Sequence, residues 1–127
     1  MTLDDVAKAI EGAVLVRGNR QDLRVERAFA ADLLSDVLSL ACNDERTTLV
    51  TGMVNPQVMR VAEILSIAAV IIVRGKVPPQ SMVEYAEDLG IPLITTRKTM
   101  FETCGLMYAS GVAACRATAA SEPRSRP

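Results

Sequence analysis

Between residues 23 and 115, short apolar runs of strand length alternate with amphipathic stretches at helical spacing, and this alternation limits the fold more than any other feature. A strand is predicted at residues 23–31, with Leu23, Val25, Ala28 and Phe29 as its apolar positions. A helix follows at 32–41, where Leu33, Leu34, Val37, Leu38 and Ala41 share a broad apolar face. The order then repeats. Residues 47–51 form a strand, Asn55-Pro56 opens a helix carrying Val58, Val61, Ala62 and Leu65, and residues 69–73 form the next strand. That strand lacks polar alternation, as expected when both faces are covered. Pro78-Pro79 opens a helix stopped by Gly90, a strand follows at 92–95, and Thr99 with Glu102 makes a capping box for a last helix reaching about Arg116. Upstream, Thr2 and Asp5 cap a first helix that ends near Gly12, and residues 13–16 are a short strand whose pairing direction is left open. The reading is a single α/β domain: a mostly parallel sheet of about five strands with helices on both faces.

The chain of 127 residues has room for one domain, predicted at 1–116, with a flexible C-terminal tail at 117–127 rich in Ser, Pro and Arg. Half of the residues are apolar, yet only two Phe, two Tyr and no Trp are present, so the core must be aliphatic. Fourteen basic against fifteen acidic residues argue against bulk attraction to nucleic acid or anionic lipid. Cys42, Cys104 and Cys115 show no paired spacing, and with no histidine in the chain they make no metal set; they read as reduced thiols, two of them in the last helix. No leader or spanning segment is visible, so a soluble cytoplasmic protein with no cofactor is expected.

In open parallel sheets, ligands bind outside the carboxyl ends of the strands. On this sequence those ends carry Asp32 with Ser35 and Asp36; Thr51, Gly52 and Asn55; Arg74, Gly75 and Lys76; and Thr95, Thr96, Arg97, Lys98 and Thr99. Hydroxyls, glycines and cations at helix starts suit a phosphate or carboxylate. The candidate ligand residues are Ser35, Asp36, Thr51, Gly52, Asn55, Arg74, Gly75, Thr95, Thr96 and Thr99. Asn55 and Thr99 also read as plain helix caps, and Gly52 and Gly75 as plain turn residues. No phosphate-loop or dinucleotide glycine pattern is present. Asp32 and Asp36 could pair as carboxylates, but an acid in a first helical turn is favoured by the helix dipole alone. Catalysis is therefore not expected.

The last helix carries a different signal, because residues 103–115 contain no charge. At about 100° per residue, Met100, Phe101, Cys104, Met107, Tyr108 and Val112 gather into one stripe, assigned here to the sheet. Leu106, Ala109, Ser110 and Ala113 fall to the other side, where a second copy of the chain, or a partner, is the expected cover.

Three consecutive stretches resemble the DRTGG domain family: Ala69-Val-Ile-Ile-Val-Arg-Gly-Lys-Val-Pro-Pro79, then the run from Met82 to Thr96 with its Gly-Ile-Pro strand entry, then Thr99-Met-Phe-Glu-Thr103. Ile10 to Gly18 and Ala31 to Val37 are also similar, especially to the short stand-alone members, and the resemblance covers residues 3–113. It implies the fold of the N-terminal domain of HPr kinase/phosphorylase, itself similar to the N-terminal, substrate-side domain of Mur ligases. It also implies the accessory and dimerising role that such domains have inside phosphotransacetylases and regulatory pyrophosphatases. The naming motif is altered here. Its Thr-Gly-Gly aligns with Val73-Arg74-Gly75, and its Asp-Arg pair aligns near Met53-Val54; Arg74 would supply the missing cation. The function expected is a non-catalytic regulatory or adaptor module that forms a homodimer through its C-terminal helix. The alternative is a sensor binding a nucleotide or other phosphorylated small molecule at the carboxyl edge of the sheet. The resemblance adds a third partner class, a kinase or hydrogenase component encoded nearby; neither nucleic acid nor membrane is expected.

Overall fold

The computed structural model describes residues 1–40 and 44–115; Cys42 and the predicted tail lie outside them. The elements run α1 (Leu3–Ala9), β1 (Ala13–Val16), β2 (Arg27–Ala30), α2 (Leu34–Leu40), β3 (Thr47–Thr51), α3 (Gln57–Ile64), β4 (Ala69–Ile72), α4 (Gln80–Leu89), β5 (Leu93–Thr95), α5 (Met100–Ala109) and β6 (Ala113–Ala114). They form one sheet in the order β1-β5-β4-β3-β2-β6. Every neighbouring pair is parallel except β1 and β5, which are antiparallel with Ala13 opposite Thr95. This is the predicted α/β class with a sixth, two-residue strand added at one edge.

Strand side chains alternate between two layers, as the period of the pleat requires. Leu49, Val70, Ile72 and Leu93 meet Val37 of α2, Val58, Met59 and Ala62 of α3, and Met82 and Ala86 of α4. Val50, Ala69, Ile71 and Ile94 meet Leu3, Val6 and Ala7 of α1 and Met107 of α5. Thus α2, α3 and α4 cover one face, while α1 and α5 cover the other. The chain leaving β4 turns to the first face, and the chain leaving β5 turns to the second.

The helix ends follow the sequence. Thr2 and Thr99 both form full capping boxes, with Asp5 and Glu102 respectively, and Gly90 closes α4 at φ 70°. Three expectations need correction. The run at 23–31 is a strand only from Arg27 to Ala30; Leu23 and Val25 are buried from a connecting segment, anchored by Val25 N–H donating to Met1 O. The last helix stops at Ala109. The Ser110 side chain donates to Leu106 O, Gly111 takes φ 104°, and the buried Val112 then leads Ala113 and Ala114 into pairing beside β2. Cys115 therefore follows a strand, and it is disulfide-bonded, against the expectation of reduced thiols.

Candidate functional site

The opposite departures of β4 and β5 open a crevice outside their carboxyl ends, the topological switch point of this sheet. Its volume is about 500 Å³. Gly75, Lys76, Val77 and Pro78 from the β4 exit form one wall, and Thr95, Thr96 and Arg97 from the β5 exit form another. Because β1 runs antiparallel to β5, its amino end lies beside Thr95, so Glu11, Gly12, Ala13 and Leu15 complete the lining. Gly12 is required at this junction: a Cβ there would stand 2.7 Å from Thr95 O.

The two exit loops are tied to each other. Arg74 N–H donates to Lys98 O (2.8 Å) and Gly75 N–H donates to Thr96 O (2.9 Å). Thr96, buried, donates through Oγ1 to Ile10 O (2.8 Å) and accepts from Lys98 N–H (3.2 Å). Lys98 Nζ lies 3.5 Å from the Glu11 carboxylate. Arg97, by contrast, has no acidic partner among the described residues.

A second group of polar side chains surrounds the end of β3. Asp32 Oδ1 accepts from Gly52 N–H (2.7 Å) and from Thr51 Oγ1 (3.3 Å), while Thr51 Oγ1 accepts from Met53 N–H (3.1 Å). Lys76 Nζ donates to Gly52 O (2.8 Å). The Arg74 guanidinium rests against Gly52, where an added Cβ would come 2.5 Å from Nη2. Arg74 holds φ 65°, a left-handed conformation that L side chains rarely adopt, and Gly75 follows at φ 69°. Like Arg97, Arg74 has no acidic partner among the described residues.

The candidate ligand residues therefore separate. Gly75, Thr95 and Thr96 line the crevice, and Thr51, Gly52 and Arg74 cluster at the β3 end. Asn55 Oδ1 accepts from Gln57 N–H (2.9 Å), and Thr99 is engaged in its capping box. Ser35 and Asp36 are exposed on the first turn of α2. Leu15 and Glu11 escaped the sequence reading because their place depends on the direction of β1, which local pattern does not fix, and Val77, on the β4 exit, carries no polar group to mark it as a ligand residue. Lys76 and Arg97 lay within the strand-end segments, and their charge was the available signal.

The outer face of α5 is also informative. Thr103 and Met107 are buried, with Met100, Cys104 and Leu106 packed partly against the core. Phe101 is 88% exposed and Tyr108 is 74% exposed. The assignment of Phe101 and Tyr108 to the sheet is thus corrected: the helix is rotated so that Phe101, Gly105, Tyr108 and Ala109 face outward. Leu106 sits at the margin of the packed face, and Ala109, Ser110 and Ala113 are exposed. Tyr108 shares an apolar cavity of about 150 Å³ with Cys104, Met107, Phe29 and the β6 residues Ala113 and Ala114. Burial raises the Cys104 thiol above its ordinary value, which keeps it protonated and a poor nucleophile.

A further cavity of about 540 Å³ lies at the other end of the sheet, between Thr2–Asp4 and residues 17–24. Its Arg17 is already bound to Asp4 (2.8 Å). Among the described residues no group of three or more His, Cys, Asp or Glu side chains is placed to hold a metal ion, and no helix is long and apolar enough to cross a membrane.

No family model matches the chain, and no curated protein matches it. A solved structure does. The CBS and DRTGG domains of the regulatory region of Clostridium perfringens pyrophosphatase, complexed with the activator diadenosine tetraphosphate, align with a TM-score of 0.69 at 17% identity. The alignment covers 87% of this chain and 47% of that one, so the chain spans about half the length of that regulatory region. At this identity the likeness carries fold alone, and the fold of this chain is DRTGG-like.

Proposed function

We propose that this domain is a non-catalytic regulatory or adaptor module that pairs with a second copy of itself through the outward face of α5. The observation that carries the proposal is the exposure of Phe101 and Tyr108, two of the four aromatic residues in the chain, on a helix without charge from residue 103 onward. Aromatic side chains presented together on a helix face are the usual anchors of an interface. The face continues through Gly105 and Ala109, small residues that permit close approach, and adjoins β6, a short edge strand with exposed alanines. A regulatory role agrees with the nature of the pyrophosphatase region that shares the fold. The non-catalytic reading agrees with the engagement of Asp32 by Gly52 and Thr51 and with the protonated state of Cys104.

The test is solution mass by light scattering over a dilution series, for the wild type and for Phe101→Glu. Phe101 makes little contact with its own chain, so the variant should fold; its charge should weaken a dimer by about 2 kcal/mol or more, roughly 30-fold. Leu106→Glu is the poorer probe, because Leu106 packs partly on the core.

A second reading is favoured by a separate observation: Arg74 and Arg97 stand at the carboxyl edge without acidic partners among the described residues. On that reading the module binds an anionic, phosphorylated ligand there. The two readings are compatible, since a dimer can also bind.

A further inference from the structure

We propose that the crevice at the carboxyl ends of β4 and β5 is the seat of a nucleoside phosphate, with the phosphates held at Arg97 and Lys76 and the nucleoside lying on Leu15, Val77 and Pro78. This inference rests on the second reading above and names its location and ligand class. Topology comes first. The crevice exists because α4 and α5 lie on opposite faces, and open parallel sheets take ligands at such a point. Its volume of about 500 Å³ falls within the range of small-molecule sites.

The lining then selects the ligand. One side is apolar and unpartnered: Val77 is 83% exposed and Leu15 is 44% exposed, both at the rim of the cavity. The other side is cationic. Arg97 is free of acidic partners among the described residues, and Lys76, which gives one donor to Gly52 O, has two donors remaining. The acidic residue of the lining, Glu11, is paired with Lys98 and so opposes an anion less. A ligand that satisfies both sides carries an apolar body and an anionic group, and a phosphate chain, with several acceptor oxygens, can serve Arg97 and Lys76 together. Inorganic phosphate would leave Leu15 and Val77 bare, and an uncharged apolar ligand would leave Arg97 without a partner.

The test is isothermal titration calorimetry of the full chain with adenosine triphosphate and with inorganic tripolyphosphate. The variants are Arg97→Glu and Val77→Ser, both at exposed positions and checked for folding by circular dichroism. The expected results are that adenosine triphosphate binds more tightly than tripolyphosphate and that Arg97→Glu weakens both by about tenfold or more. Val77→Ser should weaken only the nucleotide. If tripolyphosphate binds as tightly as the nucleotide and Val77→Ser changes neither, the nucleoside seat is wrong while anion binding stands. If neither probe binds at about 1 mM, the inference and the anion reading fall together. Binding that ignores Arg97→Glu places the ligand elsewhere and overturns the inference.

Discussion

Replacing Thr103 by Val should stabilise this protein. Thr103 lies on α5 and is fully buried, yet its Oγ1 has no hydrogen-bond partner among the described residues. A hydroxyl taken out of water without a partner costs about 1–3 kcal/mol. Valine has nearly the same shape, replaces the hydroxyl by a methyl group, and has a similar helix propensity, so neither cavity nor strain offsets the gain. The expected change is an increase of about 1 kcal/mol, which for a domain of this size raises Tm by about 4 °C. Thr47 and Thr48 on β3 have the same defect, fully buried with unpartnered hydroxyls, and serve as replicates in a strand, where Val is at least as well suited as Thr. The assay is urea and thermal unfolding at fixed protein concentration, because association would itself shift the midpoint. Thr103→Ala is the control: it removes the same hydroxyl but also leaves a void, and should fall below Thr103→Val by about 1 kcal/mol. Destabilisation by Thr103→Val of about 1 kcal/mol would refute the reasoning, since the hydroxyl would then have a bonding role that its surroundings do not reveal.

Arg74 at φ 65° bears the steric penalty of a left-handed non-glycine residue, about 1–2 kcal/mol. Arg74→Gly should therefore unfold within about 1 kcal/mol of the wild type, while β-branched Arg74→Val should be less stable by about 1–2 kcal/mol, both read by urea denaturation. A second expectation concerns acid. Burial raises the Asp44 pKa, but the Arg46 backbone N–H and the Arg27 guanidinium outweigh it, so the carboxyl ionises below its ordinary value of 3.8. Its contribution is fully present above that value and is lost as pH falls through the lower folded pKa. Asp44→Asn should lower stability at neutral pH and flatten the acid limb of the urea midpoint against pH; an unchanged limb would show that the pair contributes nothing.

The fold was legible because its signals are local and agree with one another. Thr99 with Glu102, Gly90 after Leu89, and the apolar runs at β3 and β4 each mark an element without reference to the rest of the chain. What escaped depends on distant partners. β6 consists of two alanines whose strand state comes from lying beside Arg27 and Ala28. The rotation of α5 could not be read because its apolar residues surround the helix: with Leu106 on one side and Phe101 and Tyr108 on the other, periodicity chooses no face. Here the sheet chose Thr103 and Met107. The site was half legible for a similar reason. The strand-end loops supply Gly75, Lys76, Thr95 and Arg97 in plain view, whereas Glu11 and Leu15 join them only through the antiparallel register of β1 on β5.

Pairing through α5 is the claim on which the proposed function rests, and solution mass under dilution tests it most directly. The account predicts a wild-type mass of twice 13.7 kDa that persists on dilution, and a folded Phe101→Glu variant at the monomer mass. A wild type that is monomeric throughout, or a folded Phe101→Glu that remains a dimer, would contradict it.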